Sequence, residues 1–122
     1  MLHKLAASKP HGSSFLSGAT LGIVICGDSE RSDVWVEDCS IASIIVQLAA
    51  QSLGIGSCWI QIRKRQYNDA QSSEAYIQGL LDIPENIHVE SIIAFGYPAQ
   101  ARAGVPDNEL DYHKIRMEKF SL

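Results

Sequence analysis

The order of apolar and polar positions along the chain predicts three short strands and two helices. Apolar runs with β-branched residues at positions 21–26, 57–62 and 89–95 have the length and composition of buried strands. Helices are predicted from about Val34 to Leu53 and from about Ser73 to Leu81. The elements therefore alternate as strand, helix, strand, helix, strand, an order that is typical of a parallel α/β sheet.

Turn and cap residues mark the ends of both predicted helices. Ser32 or Asp33 is expected to cap the first helix, because a short polar side chain can accept from a free amide there. Gly54 is expected to end this helix, and Pro84 prevents continuation of the second. Residues 101–122 form a polar tail with room for one or two helical turns.

The longer helix carries an unusually narrow polar stripe. Ser40, Ser43, Gln47 and Gln51 recur three or four positions apart, so they share one side of the helix. Nearly all other positions from 39 to 53 are apolar or small, whereas a surface helix has a wide polar face. The helix is therefore expected in the centre of the core or in a subunit interface. Because a chain of this length has little core to enclose a helix, an oligomer is favoured.

Composition is consistent with one small globular domain over residues 1–122. Apolar residues make up 46% of the chain and charged residues 20%, which is ordinary for a soluble protein. The formal net charge of −4 argues against a general nucleic-acid surface. The apolar runs are shorter than a membrane span, and the first residues lack the apolar stretch of a signal peptide.

Sequence motifs for metals, disulfides and phosphate loops are missing from the chain. Cys26, Cys39 and Cys58 form no CxxC pair, and each lies in an apolar run, so we expect reduced, buried thiols in a cytoplasmic protein. Neither GxGxxG nor GxxxxGK[ST] follows the first strand. The pair Gly54 and Gly56 follows a helix instead, where a helix stop and a tight turn are the expected roles.

Four segments, taken in order, resemble the FMN-dependent nitroreductase family. They are KPHGSSFLSGATLGIVICGD, SDVWVEDCSIASIIVQLAAQSLGIGSCWIQIRKR, LDIPENIHVESIIAFGYPAQ and ELDYHKIRMEKF. The resemblance implies an α+β fold in which a mostly antiparallel sheet lies between helices. It also implies an intertwined homodimer that holds FMN in a cleft at the dimer interface, with the long helix forming part of that interface.

The same resemblance implies an oxidoreductase. Such an enzyme binds FMN, takes hydride from NADH or NADPH, and reduces nitroaromatic or quinone-like acceptors. FMN carries the reaction while the protein binds, orients and excludes water, so no protein nucleophile, general acid or general base is expected. His11 is accordingly interpreted as a loop or core histidine.

The resemblance implies cofactor binding by the strand that follows the glycine turn. Trp59, Ile60, Gln61 and Ile62 would line the flavin ring, chiefly through the main chain of Gln61 and Ile62, whose amides would reach the N5 and O4 edge. Fixed donors aimed at the ring tune its potential. The cations at 63–65 would then lie at the cleft mouth and attract an anionic nicotinamide dinucleotide. The alternative is a solvated turn without a specific role.

A second implied site lies in the tail. Lys114 and Arg116 correspond to basic residues that hold the FMN phosphate in the family, and Lys119 is a weaker third candidate. Arginine suits a phosphate because its planar fork donates two hydrogen bonds at once. The alternative interpretation is a charged amphipathic tail.

The N-terminal part of the family pattern has no counterpart in this sequence. Family members begin with helices that carry an Arg-Ser-x-Arg-type motif and a Pro-Ser turn, which supply the main phosphate-binding arginine and much of the dimer interface. We therefore expect a nitroreductase-like sheet flanked by helices and incomplete at the N-terminus. Two functions stay open: an FMN-dependent enzyme, or a flavin-free truncated remnant that acts as an assembly or binding module.

Overall fold

The computed structural model describes residues 1–100 and 103–120 and contains a three-stranded sheet. Its strands are β1 (Leu21–Asp28), β2 (Gly56–Gln61) and β3 (Ile87–Gly96). Their order is β1-β3-β2, and β3 pairs antiparallel with both neighbours. The α+β fold with an antiparallel sheet between helices is thus confirmed, and the parallel sheet expected from the order of elements is wrong.

The central position of β3 explains why the order of elements along the chain predicted a parallel sheet. β1 and β2 both run antiparallel to β3, so they run parallel to each other, as the alternating pattern indicates. They do not touch, because the last strand lies between them. Seven consecutive residues of β3 are buried, from 89 to 95. A strand that is apolar on both faces is most stable at the centre of a sheet, where both faces are covered.

Helices cover both faces of this sheet. α2 (Trp35–Ser52) packs on one face, and α1 (Leu2–Ala6) and α3 (Ser73–Leu81) lie with a short 3₁₀ turn on the other. The observed helices begin and end within one residue of the two predictions. No helix in the described part of the chain has both the length and the apolar character needed to cross a bilayer.

Local signals explain the start of α3 and the end of α2. Ser72 Oγ accepts a hydrogen bond of 3.0 Å from the Ala75 amide at the start of α3. Gly54 follows α2 with a φ of +71°, as expected for a helix stop. The predicted cap of α2 is wrong, because Val34 occupies the N-cap position without a side-chain bond. The hydroxyl of Ser32 donates instead to Asp38 Oδ2 at 2.7 Å.

Part of the polar stripe of α2 faces the sheet. Ser43 is fully buried, and its Oγ donates to the Cys39 carbonyl at 2.8 Å and lies 3.3 Å from Ser91 Oγ on β3. Gln47 Nε2 donates to Ser57 Oγ on β2 at 3.4 Å. These bonds satisfy polar groups that would otherwise be buried without partners.

The opposite side of α2 is apolar and uncovered in a single chain. Ile41, Ile44, Ile45 and Leu48 are 57%, 51%, 59% and 62% exposed. They follow the i, i+3, i+4, i+7 spacing of one helix side, so they form a continuous surface, called here the α2 apolar face. Apolar surface of this kind marks an interaction site more often than an ordinary solvent-facing surface.

The cysteines are free, and only one of them is buried. Cys39 lies in the core, whereas Cys26 and Cys58 are exposed. The expectation of buried thiols is therefore wrong for two of the three. Cys58 lies on the same side of β2 as the buried Ile60 and Ile62, but near the beginning of the strand, where it lines the open cavity instead of the core.

Candidate functional site

The outer edge of β2 is the first feature of the candidate site. β2 pairs with β3 on one side, and within residues 1–100 and 103–120 no strand pairs with its other side. The Ile62 amide donates to the Glu90 carbonyl at 3.2 Å, on the β3 side. Because main-chain groups alternate in direction along a strand, the amides of Trp59 and Gln61 point toward the unpaired edge.

This geometry separates the four strand residues into two kinds. Ile60 and Ile62 are fully buried and belong to the core. Trp59 Nε1 donates to Gln61 Oε1 at 3.0 Å, and Gln61 Nε2 donates to the Arg63 carbonyl at 3.0 Å. The Gln61 side chain is thus bonded within the chain, and its main-chain amide remains available at the edge. The Ile62 amide is already bonded to the Glu90 carbonyl, so it is not free to donate to a ligand. The main-chain donors that face the edge are the amides of Gln61 and Trp59.

An apolar cavity of about 440 Å³ lies at the beginning of β2. Its wall combines the start of β2, the 3₁₀ turn before β1 and the chain that follows β3. The lining residues are Phe15, Gly18, Ala19, Gly56, Ser57, Cys58, Ala94, Phe95, Gly96, Tyr97, Pro98 and Ala99. The volume is within the range of small-molecule and cofactor sites.

Gly56 shows why the strand begins with small residues. A Cβ at this position would lie 3.1 Å from the Gly96 carbonyl oxygen and 3.5 Å from Pro98 Cδ. The first contact is tighter than side chains normally make, and the neighbour is main chain that cannot easily move. Glycine therefore permits the close approach of β2 to the chain that follows β3.

The cations after β2 have different surroundings. The Arg63 guanidinium lies over the Trp35 ring, 5.7 Å from its centroid. Lys64 and Arg65 are exposed, and Lys64 adopts a left-handed φ of 58° that reverses the chain. The structure thus gives Arg63 an aromatic partner on α2, whereas Lys64 and Arg65 lie in a solvated turn.

A network of polar and aromatic side chains continues from Arg63. Trp35 stacks on His88, with ring centroids 5.1 Å apart and planes inclined by 23°. Glu74 Oε1 lies 3.0 Å from His88 Nδ1 and accepts a 2.9 Å bond from the Val89 amide. This network joins α2, α3 and β3 at the end of β2. Among the described residues, no group of His, Cys, Asp or Glu could hold a metal ion.

Glu90 is the residue that the sequence interpretation missed. It lies on β3 at 4% exposure, and its Oε2 has no hydrogen-bond partner among the described residues. Burial raises the pKa of the Glu90 carboxyl, and the positive charge of Arg63 limits that rise. The signal was available in the sequence, because VESIIAF places one carboxylate inside an apolar strand.

The raised pKa of Glu90 predicts a pH-dependent stability. The folded protein favours the neutral Glu90 carboxyl more than the unfolded chain does. The contribution of Glu90 to folding stability is therefore fully present below the ordinary glutamate pKa of about 4.3, and it is lost as pH rises through the raised pKa of the folded state. We expect the melting temperature of Glu90→Gln to increase relative to wild type as pH rises from 4 to 8. Thermal melts at several pH values check this, with the exposed Glu85→Gln as control. A constant difference across this range would contradict it.

The contacts of the candidate tail residues are local to the tail. Every described residue from 103 to 120 is exposed. Lys114 Nζ is 2.6 Å from Asp111 Oδ2, and Arg116 donates to the His113 carbonyl and lies over the Phe120 ring at 5.8 Å. Among the described residues, neither Lys114 nor Arg116 forms a hydrogen bond or ion pair with the strand of Trp59, Ile60, Gln61 and Ile62. Lys119 is likewise exposed, and His11 lies in an exposed loop.

Comparison with known proteins agrees with this fold and geometry. The sequence profile of the nitroreductase family matches residues 2–97, which is most of the chain. The chain belongs to the nitroreductase family. The resemblance carried by the four sequence segments is thereby confirmed.

Individual relatives cover nearly all of this chain. It is 36% identical over 125 residues to a protein of Archaeoglobus fulgidus, and 37% identical over 123 residues to one of Methanothermobacter thermautotrophicus. Both carry the provisional name NADH dehydrogenase/NAD(P)H nitroreductase. The solved structure of an FMN-dependent nitroreductase from Clostridium difficile superposes with a TM-score of 0.95 at 42% identity.

These nitroreductases are longer than this chain. Each comparison covers 98% of the present chain, but only 68% and 60% of the two archaeal proteins and 69% of the Clostridium difficile structure. The shared part contains the three strands of this chain and the helices on both faces of its sheet. What the longer proteins bind or catalyse therefore supports a proposal for this chain and does not by itself assign its activity.

Proposed function

We propose that this nitroreductase-family protein is an FMN-dependent oxidoreductase that uses NADH or NADPH to reduce nitroaromatic or quinone-like acceptors. The observation that carries the proposal is the unpaired edge of β2 beside the cavity of about 440 Å³. A planar heterocycle with acceptor atoms along its rim suits a strand edge whose amides point outward, and the apolar cavity begins at the same strand, where Gly56, Ser57 and Cys58 line it. The names of the relatives, FMN-dependent nitroreductase and NAD(P)H nitroreductase, support the same cofactors.

The residues of β2 fit the ring portion of FMN. In the proposal, the amides of Gln61 and Trp59 donate to the ring, and buried Ile60 and Ile62 hold the strand in place. The Gln61 side chain, fixed between Trp59 and Arg63, stiffens the strand rather than contacting the ligand. When bound, FMN supplies the hydride-transfer chemistry, and the protein residues orient it and exclude water.

The phosphate portion of FMN requires a second copy of the chain in this proposal. Lys114 and Arg116 are exposed, and among the described residues their polar partners are Asp111 and His113 of the same tail. We propose that the tail of one protomer supplies these cations to the cleft of its partner. The α2 apolar face supports a homodimer, because Ile41, Ile44, Ile45 and Leu48 are more than half exposed in one chain. Free thiols agree with a cytoplasmic location, which stays part of the proposal.

The decisive experiment is a fluorescence titration of FMN into the apoprotein. Gln61→Pro removes an amide that points away from β3, and proline is tolerated at such an edge position. Gln61→Ala keeps this amide and removes only the side chain. We expect Gln61→Pro to weaken FMN binding about three- to tenfold relative to Gln61→Ala, the effect of one lost neutral hydrogen bond.

Two outcomes would contradict parts of this proposal. Equal affinities for Gln61→Pro and Gln61→Ala, with both variants folded by circular dichroism, would exclude the main-chain role of Gln61. Absence of FMN binding by wild-type protein would favour the alternative, a flavin-free module that acts in assembly or binding. The specific observation behind that alternative is that Lys114 and Arg116, among the described residues, bond within the tail and not to β2.

A further inference from the structure

Glu90 occupies an irregular point of the sheet at the end of β2. On the β1 side, Ile25 pairs with Ser91 and Cys26 pairs with Val89, so Glu90 is an extra residue at a β-bulge. On the β2 side, the Glu90 carbonyl accepts from the amides of Ile62 at 3.2 Å and Arg63 at 3.0 Å. Glu90 therefore fixes the segment that continues directly from Gln61. Bulges often serve to redirect a side chain next to a functional site.

The Glu90 carboxyl is buried among groups from every neighbouring element. Arg63, which follows β2, carries the one positive charge that acts on it, and Glu74 of α3 is a negative neighbour. Cys39 of α2 also faces it, since the charge of Glu90 adds to burial in raising the Cys39 pKa. On β1, Cys26 lies at the bulge and interacts with Cys39 and Glu74. The Gln61 side chain is a hydrogen-bond donor to Glu90 and, after Arg63, also lowers its pKa. An ionised carboxylate in these surroundings needs a cation in addition to this neutral donor.

Arg63 is the cation positioned to meet this need. Its guanidinium lies over Trp35 at 5.7 Å, and it forms no ion pair within 4 Å among the described residues. A charge-assisted bond to a buried carboxylate is stronger than a cation–π contact at a partly exposed ring. In the structure, Arg63 lies on Trp35 and Glu90 Oε2 has no partner among the described residues. This arrangement is the one expected when the Glu90 carboxyl is neutral.

We propose that Glu90 is a positioning residue that, when ionised, draws the Arg63 guanidinium away from Trp35 and tightens the segment Gln61–Arg63 at the β2 edge. The Gln61 side chain transmits the change, because its Nε2 donates to the Arg63 carbonyl. The consequence for flavin rests on the proposed function, whereas the movement of Arg63 does not. Such a pH-dependent change requires only two positions of the Arg63 side chain, with the protonation of Glu90 deciding which one is favoured.

The movement can be measured in flavin-free protein by tryptophan fluorescence. The chain has two tryptophans, and Trp35 is the one beneath Arg63. Because the His88 ring stacks directly on Trp35, the measurements use a His88→Phe background, which removes the imidazole and keeps an aromatic ring there. Between pH 4 and 9 we expect a fluorescence transition with a midpoint above about 4.3, the ordinary glutamate value. Glu85→Gln, at an exposed carboxylate, should leave it unchanged.

Three variants decide whether this transition belongs to Glu90 and Arg63. Glu90→Gln and Arg63→Gln should each abolish it, and Trp35→Phe should remove the signal. Persistence of the transition in Glu90→Gln or in Arg63→Gln would overturn the proposal. If Glu90→Gln fails to fold by circular dichroism, Arg63→Gln gives the same decision. A transition that survives in Trp35→Phe would assign the signal to Trp59 and also overturn it.

FMN titrations then test the link to the flavin. We expect Glu90→Gln to match wild type at pH 5 and to bind FMN at least threefold more weakly at pH 8. The ratio of the two dissociation constants cancels the titration of the FMN phosphate itself. A constant ratio would refute the link between Glu90 and flavin binding.

The two experiments distinguish failure of this inference from failure of the proposed function. If wild type binds no FMN but shows the fluorescence transition, the proposed function fails and the inferred movement of Arg63 stands. If the transition is absent, this inference fails whether or not FMN binds.

Discussion

If the proposed homodimer forms, replacing Ile44 with glutamate is expected to convert it into monomers and to raise its dissociation constant at least a hundredfold. Ile44 lies at the centre of the α2 apolar face, between Ile41, Ile45 and Leu48. In a dimer that buries this face, a carboxylate would lose its hydration without gaining a partner, which costs at least the ~2.8 kcal/mol of a hundredfold change. Sedimentation velocity over a concentration series measures the effect.

The monomer itself should tolerate the change. Ile44 is 51% exposed in one chain, so a charged side chain can extend into water there. The matched control is Ala75→Glu, which adds the same charge at an exposed position of α3 and should leave the assembly unchanged. A wild-type protein that sediments as a folded monomer at micromolar concentration would contradict the homodimer. A dimer that withstands Ile44→Glu would place the interface elsewhere.

Elements governed by neighbouring residues could be predicted from the sequence. The observed α3 has the predicted bounds, because its start depends on the Ser72 cap and its continuation is prevented near Pro84. The end of α2 was predictable for the same reason, since Gly54 adopts the left-handed conformation that glycine favours. Such signals act within one turn of the chain and therefore need no knowledge of the sheet.

Features that depend on contacts between distant segments could not be predicted from pattern alone. The position of β3 between β1 and β2 follows from burial of both of its faces, which periodicity does not reveal for a short apolar run. The family resemblance supplied the antiparallel arrangement instead. The polar stripe of α2 was identified, but its direction was not, because the bond between Ser43 and Ser91 joins residues 48 positions apart.

The candidate site shows the same division. The strand of Trp59, Ile60, Gln61 and Ile62 was identified, but strand register decides which amides face the edge. Only the bond between Ile62 and Glu90 shows that Gln61 and Trp59 point outward. Glu90 could have been flagged as a charge within an apolar strand. The proximity of Glu90 to Arg63 could not be predicted, since the two residues come together only when β2 pairs with β3.

Removing both candidate tail cations is expected to weaken FMN binding at least tenfold. In the proposed dimer, Lys114 and Arg116 of one protomer donate to the phosphate of FMN in the cleft of its partner. A charged hydrogen bond contributes about 1.5–3 kcal/mol, so each lost bond corresponds to roughly tenfold or more. Both side chains are exposed, so their removal should not disturb the fold. Fluorescence titration of FMN into apoprotein compares wild type with Lys114→Ala/Arg116→Ala.

Salt and a matched variant separate a phosphate contact from a general charge effect. Wild-type affinity should fall as salt is raised, because exposed charges are screened, whereas the affinity of the double variant should depend less on salt. Lys4→Ala/Arg31→Ala removes two exposed cations elsewhere and should leave the affinity near that of wild type. If wild type binds with micromolar affinity and the tail variant matches it at low and high salt, the tail does not hold the phosphate. If both double variants weaken binding equally, net charge alone explains the effect and the assignment to Lys114 and Arg116 is wrong.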